Sequence, residues 1–207
     1  MNDSDSLYLE GEEKFGFFTS RMYNFAGMSK TIRRFYDFVL MDVNKRKFQS
    51  ILDIGSGTGK ILNRIVSHRN DLKAVGIDPS PHMIKVSRKN SARQGNNIIF
   101  ERGSSRSIPG EIKFDLIIST MSFHHWKDRE STVKNIMKRL SKNGSFVIYE
   151  INIDSTFAKK MVRSHLMSRK DFEEIERKLG IQARIIEDSG YILCEFSYNE
   201  GTELSNS

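Results

Sequence analysis

With one cysteine, Cys194, in 207 residues, the chain has no intramolecular disulfide and no cysteine-rich metal site open to it. That thiol falls in an alternating apolar stretch, where a buried, inert side chain is expected and covalent cysteine catalysis is not. Long apolar runs are missing too: stretches such as Phe114 to Met121 fall far short of the ~20 residues a bilayer-spanning helix needs. Met1 to Ser6 is polar and acidic, so no signal peptide is expected and a cytoplasmic location is. Internal repeats and low-complexity tracts are absent. What is present, 38% hydrophobic and 29% charged residues, suits a globular chain of one domain with an N-terminal extension.

The net charge of +7 favours acidic partners such as RNA, phosphorylated metabolites or anionic membrane surfaces. The basic residues are nevertheless spread over several expected helices, from Arg33 and Arg34 through Arg64 and Arg69 to Arg88 and Lys89, as solvated faces are. Nothing in the pattern sets an oligomeric state.

Apolar residues at Ile32, Phe35, Tyr36, Val39, Leu40 and Val43 have the spacing of an amphipathic helix over 29–43, with Ser29 as its N-cap. From Ser50 the period changes. Ile51, Leu52 and Ile54 form a short apolar run that stops at glycines, as a buried parallel strand does, and a helix follows through Ile61, Leu62, Ile65 and Val66. Strands are expected at 73–78, 97–102, 114–120 and 145–151, with helices between them, one opened by Ser80 and Pro81 and one carrying Val133, Ile136, Met137 and Leu140 to an end near Gly144. Strands alternating with helices imply a parallel sheet covered on both faces. A helix from Ser168, with Asp171 as capping-box partner, ends at Gly180; strands 183–187 and 191–198 are then joined by so short a link that only an antiparallel hairpin fits. The expected fold is α/β, doubly wound, with a mostly parallel seven-stranded sheet and a C-terminal antiparallel hairpin.

The turn after the first strand reads Asp53-Ile54-Gly55-Ser56-Gly57-Thr58-Gly59-Lys60. Its glycines permit positive φ and close approach of a ligand to the backbone, so a nucleotide-like ligand is implied. A P-loop needs four residues before its Gly-Lys and a Ser or Thr after it, whereas three separate Gly55 from Gly59 here and Ile61 follows Lys60. A dinucleotide fingerprint is disfavoured as well, because Lys60 stands where its third glycine belongs. The next strand ends in Asp78-Pro79-Ser80-Pro81, and an acid at that tip suits a ribose.

Together these runs resemble motif I and the second-strand acid of the Rossmann-like S-adenosylmethionine-dependent methyltransferases, and the resemblance extends over roughly residues 50 to 150. It implies that Asp53 lies near the methionine end of the cofactor, that Gly55, Ser56, Gly57, Thr58 and Gly59 line the amino-acid moiety and ribose, and that Asp78 holds the ribose hydroxyls beside Pro79. Met83 would pack on the adenine. After the third strand the family shows Gly-Asp and a small residue; here Gly103, Ser104 and Ser105 stand in that place, with a hydroxyl in place of the acid. The cofactor implied is S-adenosylmethionine, leaving as S-adenosylhomocysteine, with no metal.

After the fourth strand, Ser119-Thr120-Met121-Ser122-Phe123-His124-His125-Trp126 resembles the His-His-Trp/Phe loop of many small-molecule methyltransferases. By that likeness Ser119 and Thr120 border the cofactor while His124 and His125 lie toward the acceptor. A base is needed only if the acceptor holds a proton at neutral pH, and His124 is the better candidate.

Acceptor-specific markers are absent: there is no Asn-Pro-Pro-Tyr or Asp-Pro-Pro-Tyr run, no Pro-Cys, and no paired carboxylates, Glu150 standing alone at the end of its strand. A small-molecule acceptor is the default, with tRNA or rRNA as the alternative and a non-catalytic cofactor-binding partner subunit as a third reading. The expected organisation is a helical lid over 1–49, a cofactor-binding domain over 50–200 and a tail over 201–207. Aromatic residues from Tyr8 to Phe25 and the stretch from Asp154 to Met167 are expected to cover the pocket.

Overall fold

A computed structural model describes residues 26–67, 69, 71–152 and 166–197, with side chains from Lys30 onward. The elements run α1 (Ala26–Val43), β1 (Ser50–Ile54), α2 (Lys60–Val66), β2 (Lys73–Asp78), α3 (Pro81–Gln94), β3 (Ile98–Arg102), β4 (Phe114–Thr120), a 3-10 turn (Phe123–His125), α4 (Arg129–Met137), β5 (Leu140–Ile151), α5 (Arg169–Leu179), β6 (Ala183–Asp188) and β7 (Tyr191–Ser197). The expected covers at 1–25 and over most of 154–167, and the tail at 201–207, lie outside the described residues.

One seven-stranded sheet has the order β3-β2-β1-β4-β5-β7-β6. Pairings among β3, β2, β1, β4 and β5 are parallel, and β7 runs antiparallel to both β5 and β6. The chain leaves β1 toward one edge through β2 and β3, then returns to β4 on its other side. The carboxyl ends of β1 and β4 therefore flank the switch point where ligands of such sheets bind. The hairpin turn is Ser189 and Gly190, both at positive φ (52° and 87°), as a two-residue turn between twisted strands requires.

Side-chain alternation divides the core into two layers. Ile51, Leu116, Ile118 and Val147 face α1, α2 and α3, while Leu52, Ile117, Phe146 and Ile148 face α4 and α5. With both faces covered, the strands must be apolar throughout, which is why they read as runs and not as alternation. Cys194 is buried in the second layer, and burial pushes its thiol pKa up.

Several local signals act as their chemistry dictates. Ser80 caps α3 with Pro81 in its first turn; Ser168 and Asp171 form a capping box at α5, which Gly180 closes at φ 65°. Two expectations are corrected. Ser29 is not an N-cap but lies inside α1, which begins at Ala26. Leu140 does not belong to the preceding helix, which stops at Met137; it opens β5, paired with Phe114. Leu140 satisfies the helical spacing after Val133 and Ile136, but the strand ladder claims it, and an irregularity carrying Asn143 at φ 63° takes up the extra residues before Ser145 pairs with Leu116.

α1 is pinned to the sheet by charge as well as by apolar contact. Arg46, just beyond α1, donates to Asp42 at 2.7 Å and to both carboxylate oxygens of Glu195 on β7, at 2.5 and 3.1 Å, while Tyr149 of β5 donates to Asp42 at 2.6 Å. Phe35 meets Tyr191 edge-on at 5.6 Å, and Phe38 meets Tyr149 at 6.2 Å. Burial works against the charge of Glu195, but the Arg46 and Arg184 guanidiniums outweigh it and hold its pKa at about 2, below the ordinary 4.5. A depressed carboxylate stabilises the fold above the ordinary pKa and loses that contribution as pH falls toward about 2. In urea unfolding at neutral pH, Glu195→Gln is expected to cost about 2 kcal/mol, between the values for buried and exposed pairs because the site is only partly shielded from water. That difference should shrink as pH is lowered from about 4.5 toward 2.

Candidate functional site

The glycine turn folds over the end of β2. Amides of Gly55 and Ser56 both donate to the Ile77 carbonyl at 2.9 Å, and the Gly57 amide donates to Asp78 Oδ2 at 2.9 Å. The other Asp78 oxygen accepts from the Ser80 amide at 2.9 Å, so this carboxylate ties the turn to the start of α3. Two glycines are required by close approach. At Gly55, with φ 77°, a Cβ would stand 2.1 Å from Ser122 Oγ, and at Gly76 one would meet the Phe100 ring at 2.6 Å.

Asp53 is fully buried, and neither of its oxygens has a hydrogen-bond partner among the described residues; the same holds for the buried hydroxyls of Ser56 and Ser119. Asp53 pairs in register with Ile118, so the Asp53 and Ser119 side chains project to opposite faces of the sheet, both near the carboxyl ends of β1 and β4. Buried polar atoms are paired in the great majority of native positions, so the four left unpaired on these three side chains stand out as open hydrogen-bonding capacity. Burial, then the nearby Asp78 charge, pushes Asp53 up to about 8. Burial also raises Asp78, against the amides of Ser80 and Gly57, which lower it.

The remaining sequence-derived positions collect on the same edge. Thr58 is half-buried with its carbonyl accepting from Asn90 at 3.0 Å, Gly59 precedes α2, Pro79 leads into the Ser80 cap, and Met83 is buried in the first turn of α3. Gly103 donates to the Asp78 carbonyl at 3.3 Å, and Ser104 and Ser107 exchange backbone hydrogen bonds, so buried Ser104 and Ser105 sit in a small closed loop beside β2. Thr120 ends β4 half-buried.

Beyond it, Met121 adopts φ 50° and donates to the Tyr149 carbonyl at 3.0 Å. Trp126 donates from Nε1 to Ser122 Oγ at 3.1 Å and stacks with Phe146, which fixes the 3-10 turn against the second core layer. His124 is buried, with Nδ1 2.8 Å from Glu150 Oε2 and its backbone amide donating to Oε1 at 3.2 Å. The His125 ring lies half-buried, 3.9 Å from that of His124 between centroids. Glu150, which the sequence offers without a second carboxylate, is fully buried and bonded to His124. A cavity of about 480 Å³ adjoins this loop, lined by His124, His125, Trp126 and Arg129 from the loop side and Ile175 and Lys178 from α5; the glycine turn does not line it. The pairing of Glu150 was missed by sequence reasoning, although one signal existed: a carboxylate inside the apolar run Phe146–Ile151 has to find a partner.

The profile of the methyltransferase-domain family matches residues 45–193. The chain belongs to this family. It is an S-adenosylmethionine-dependent methyltransferase, and its sheet order is that of the methyltransferase Rossmann-like fold. An uncharacterized methyltransferase of Bacillus mycoides is 27% identical over 176 residues, covering 78% of each chain. A SAM-dependent methyltransferase from Aquifex aeolicus has the same fold, with a TM-score of 0.72 at 18% identity over 89% of this chain and 98% of that one. The plantazolicin methyltransferase BpumL, solved with a pentazolic desmethylPZN analog and SAH, has a TM-score of 0.69 at 15% identity over 88% of this chain and 90% of its own.

The methyltransferase's Asp53 makes stability depend on pH. An unfolded Asp releases its proton near 3.8 while the folded one keeps it to about 8, so stability falls as pH rises between those values and is level above them. Asp53→Asn mimics the neutral form and should abolish this decline. Urea unfolding of the ligand-free protein near pH 9 is expected to show the variant more stable by a few kcal/mol, with the two converging toward about pH 4.

Proposed function

We propose that this methyltransferase moves the methyl group of S-adenosylmethionine to a small-molecule acceptor through an O, N or C nucleophile, with S-adenosylhomocysteine as the second product and no metal. The observation that carries the cofactor assignment is the group of orphaned buried atoms on Asp53, Ser56 and Ser119 beside the Gly55–Gly59 turn. Asp53 faces the ammonium and sulfonium end, where a bound cation favours its ionised form, and Ser119 borders the cofactor from β4. Asp78 holds the ribose: a carboxylate has about four lone-pair sites, and the amides of Gly57 and Ser80 use two, leaving two for the ribose hydroxyls. Met83 packs on the adenine, Pro79, Gly103, Ser104 and Ser105 border it, and Thr120 closes the edge. When bound, the cofactor supplies a strongly electrophilic methyl group. The protein's part is to align the acceptor and exclude water, worth of order 7 to 11 kcal/mol at best, with His124 as base and His125 shaping the acceptor side.

A small molecule is favoured because the sequence carries none of the base-stacking or cysteine motifs of nucleic-acid methylation, and because the neighbour BpumL, a plantazolicin methyltransferase, is solved with a pentazolic desmethylPZN analog. Residues 1–49 serve as lid, 50–200 as the cofactor-binding domain and 201–207 as tail. The charge of +7 supports RNA as the second reading. Incubating cell extract with methyl-tritiated cofactor separates the two: label in the low-molecular-weight fraction supports the proposal, whereas label in nuclease-sensitive material, with binding that weakens steeply in salt, supports RNA. Calorimetry tests the cofactor site itself. Asp78→Asn is expected to weaken S-adenosylmethionine binding about 10- to 100-fold through loss of charge-assisted hydrogen bonds, and a wild type that gave no binding heat would sink the assignment.

A further inference from the structure

Glu150 sits at the carboxyl end of β5, fully buried, and both of its oxygens are engaged by one residue of the neighbouring loop. Oε1 accepts the backbone amide of His124 at 3.2 Å, and Oε2 lies 2.8 Å from the ring Nδ1. A contact of that length between two electronegative atoms needs a hydrogen between them. With the Glu150 carboxylate as acceptor the shared hydrogen sits on Nδ1, and whenever the ring is neutral its unprotonated nitrogen is Nε2.

We infer that Glu150 is a positioning residue: it fixes His124 in the Nδ1–H tautomer, so that Nε2 is the nitrogen that takes the acceptor's proton. This rests on the reading of His124 as the base of the methyl transfer. As the acceptor's lone pair forms its bond to the methyl carbon, the carbon–sulfur bond breaks and its electron pair stays on sulfur. The acceptor's proton passes to Nε2 and later to solvent. The imidazolium formed meanwhile keeps its Nδ1–H on the Glu150 carboxylate, which balances its charge inside the protein. Among the described residues, Arg129 donates to the His124 carbonyl at 2.8 Å and the His125 ring lies against that of His124.

Glu150→Gln separates this role from simple support of the loop. The amide has the shape of the carboxylate but only one acceptor oxygen. With that oxygen on the His124 amide, the NH2 group faces Nδ1 and donates to it, so the ring must move its hydrogen to Nε2 to avoid opposing donors. Glu150→Asp keeps two acceptor oxygens at shorter reach. With ¹⁵N-histidine labelling at about pH 9, and the His124 signals assigned by their loss in His124→Asn, the wild type should show a protonated Nδ1 and Glu150→Gln the reverse. Calorimetric affinity for S-adenosylmethionine should stay within about twofold of wild type in Glu150→Gln. Transfer of tritiated methyl to the low-molecular-weight extract fraction should fall about 10²- to 10⁴-fold in that variant, with partial recovery in Glu150→Asp.

A protonated Nε2 in the wild type overturns the inference, and so does label transfer at the wild-type rate by Glu150→Gln. If Glu150→Gln does not fold, the wild-type tautomer and the rate of Glu150→Asp decide the matter. Absence of cofactor binding by the wild type would strike the methyltransferase reading instead, a result distinguishable from either.

Discussion

Burial of the sheet on both faces is the constraint from which the rest of this protein follows. Because α1, α2 and α3 cover one side and α4 and α5 the other, every interior strand position has to be apolar or has to justify its polarity. Three strand carboxylates do so in different ways. Glu195 is held by Arg46 and Arg184, which ties α1 to the far half of the sheet. Glu150 is spent on the amide and ring of His124. Asp53 alone has no hydrogen-bond partner among the described residues, and it lies where β1 and β4 separate the two halves of the winding. The first arrangement stabilises the fold, the second shapes a loop, and the third leaves a buried carboxyl whose hydrogen-bonding capacity is unmet among the described residues.

The two loops at this edge are not independent. Ser122 lies so close to Gly55 that no side chain fits there, and its hydroxyl also receives the Trp126 indole. Trp126 in turn stacks on Phe146 of β5, the strand that carries Glu150. The glycine turn, the His-His-Trp loop and the end of β5 therefore form one contact series, and Met121 adopts an uncommon positive φ within it. Alignment of an acceptor against a cofactor depends on placing such elements within fractions of an ångström, and packed strands supply that rigidity better than free loops do.

Much of the architecture could be read directly from residue patterns because the determining forces were local. The apolar runs at Ile51–Ile54 and Phe114–Ile118, the caps at Ser80 and Ser168, and the short link at Ser189-Gly190 each encode their element within a few residues. Reading failed where two local rules agreed with different structures. Leu140 fits a helical face and a strand start equally well, and only pairing with Phe114 decides between them. Ser29 has the chemistry of a cap, yet α1 continues through it.

The candidate site divides in the same way. Glycine spacing and the acids at the ends of β1 and β2 were set by the sequence alone, since a turn's φ angles and a ligand's access to backbone depend on adjacent residues. What only the tertiary structure decided is who faces whom. His124 and Glu150 are twenty-six positions apart, and they meet because β4 and β5 pair in parallel and bring the loop after one over the end of the other. Whether a buried polar group is paired or left waiting for a ligand is a property of distances between strands, which no local pattern of residues contains.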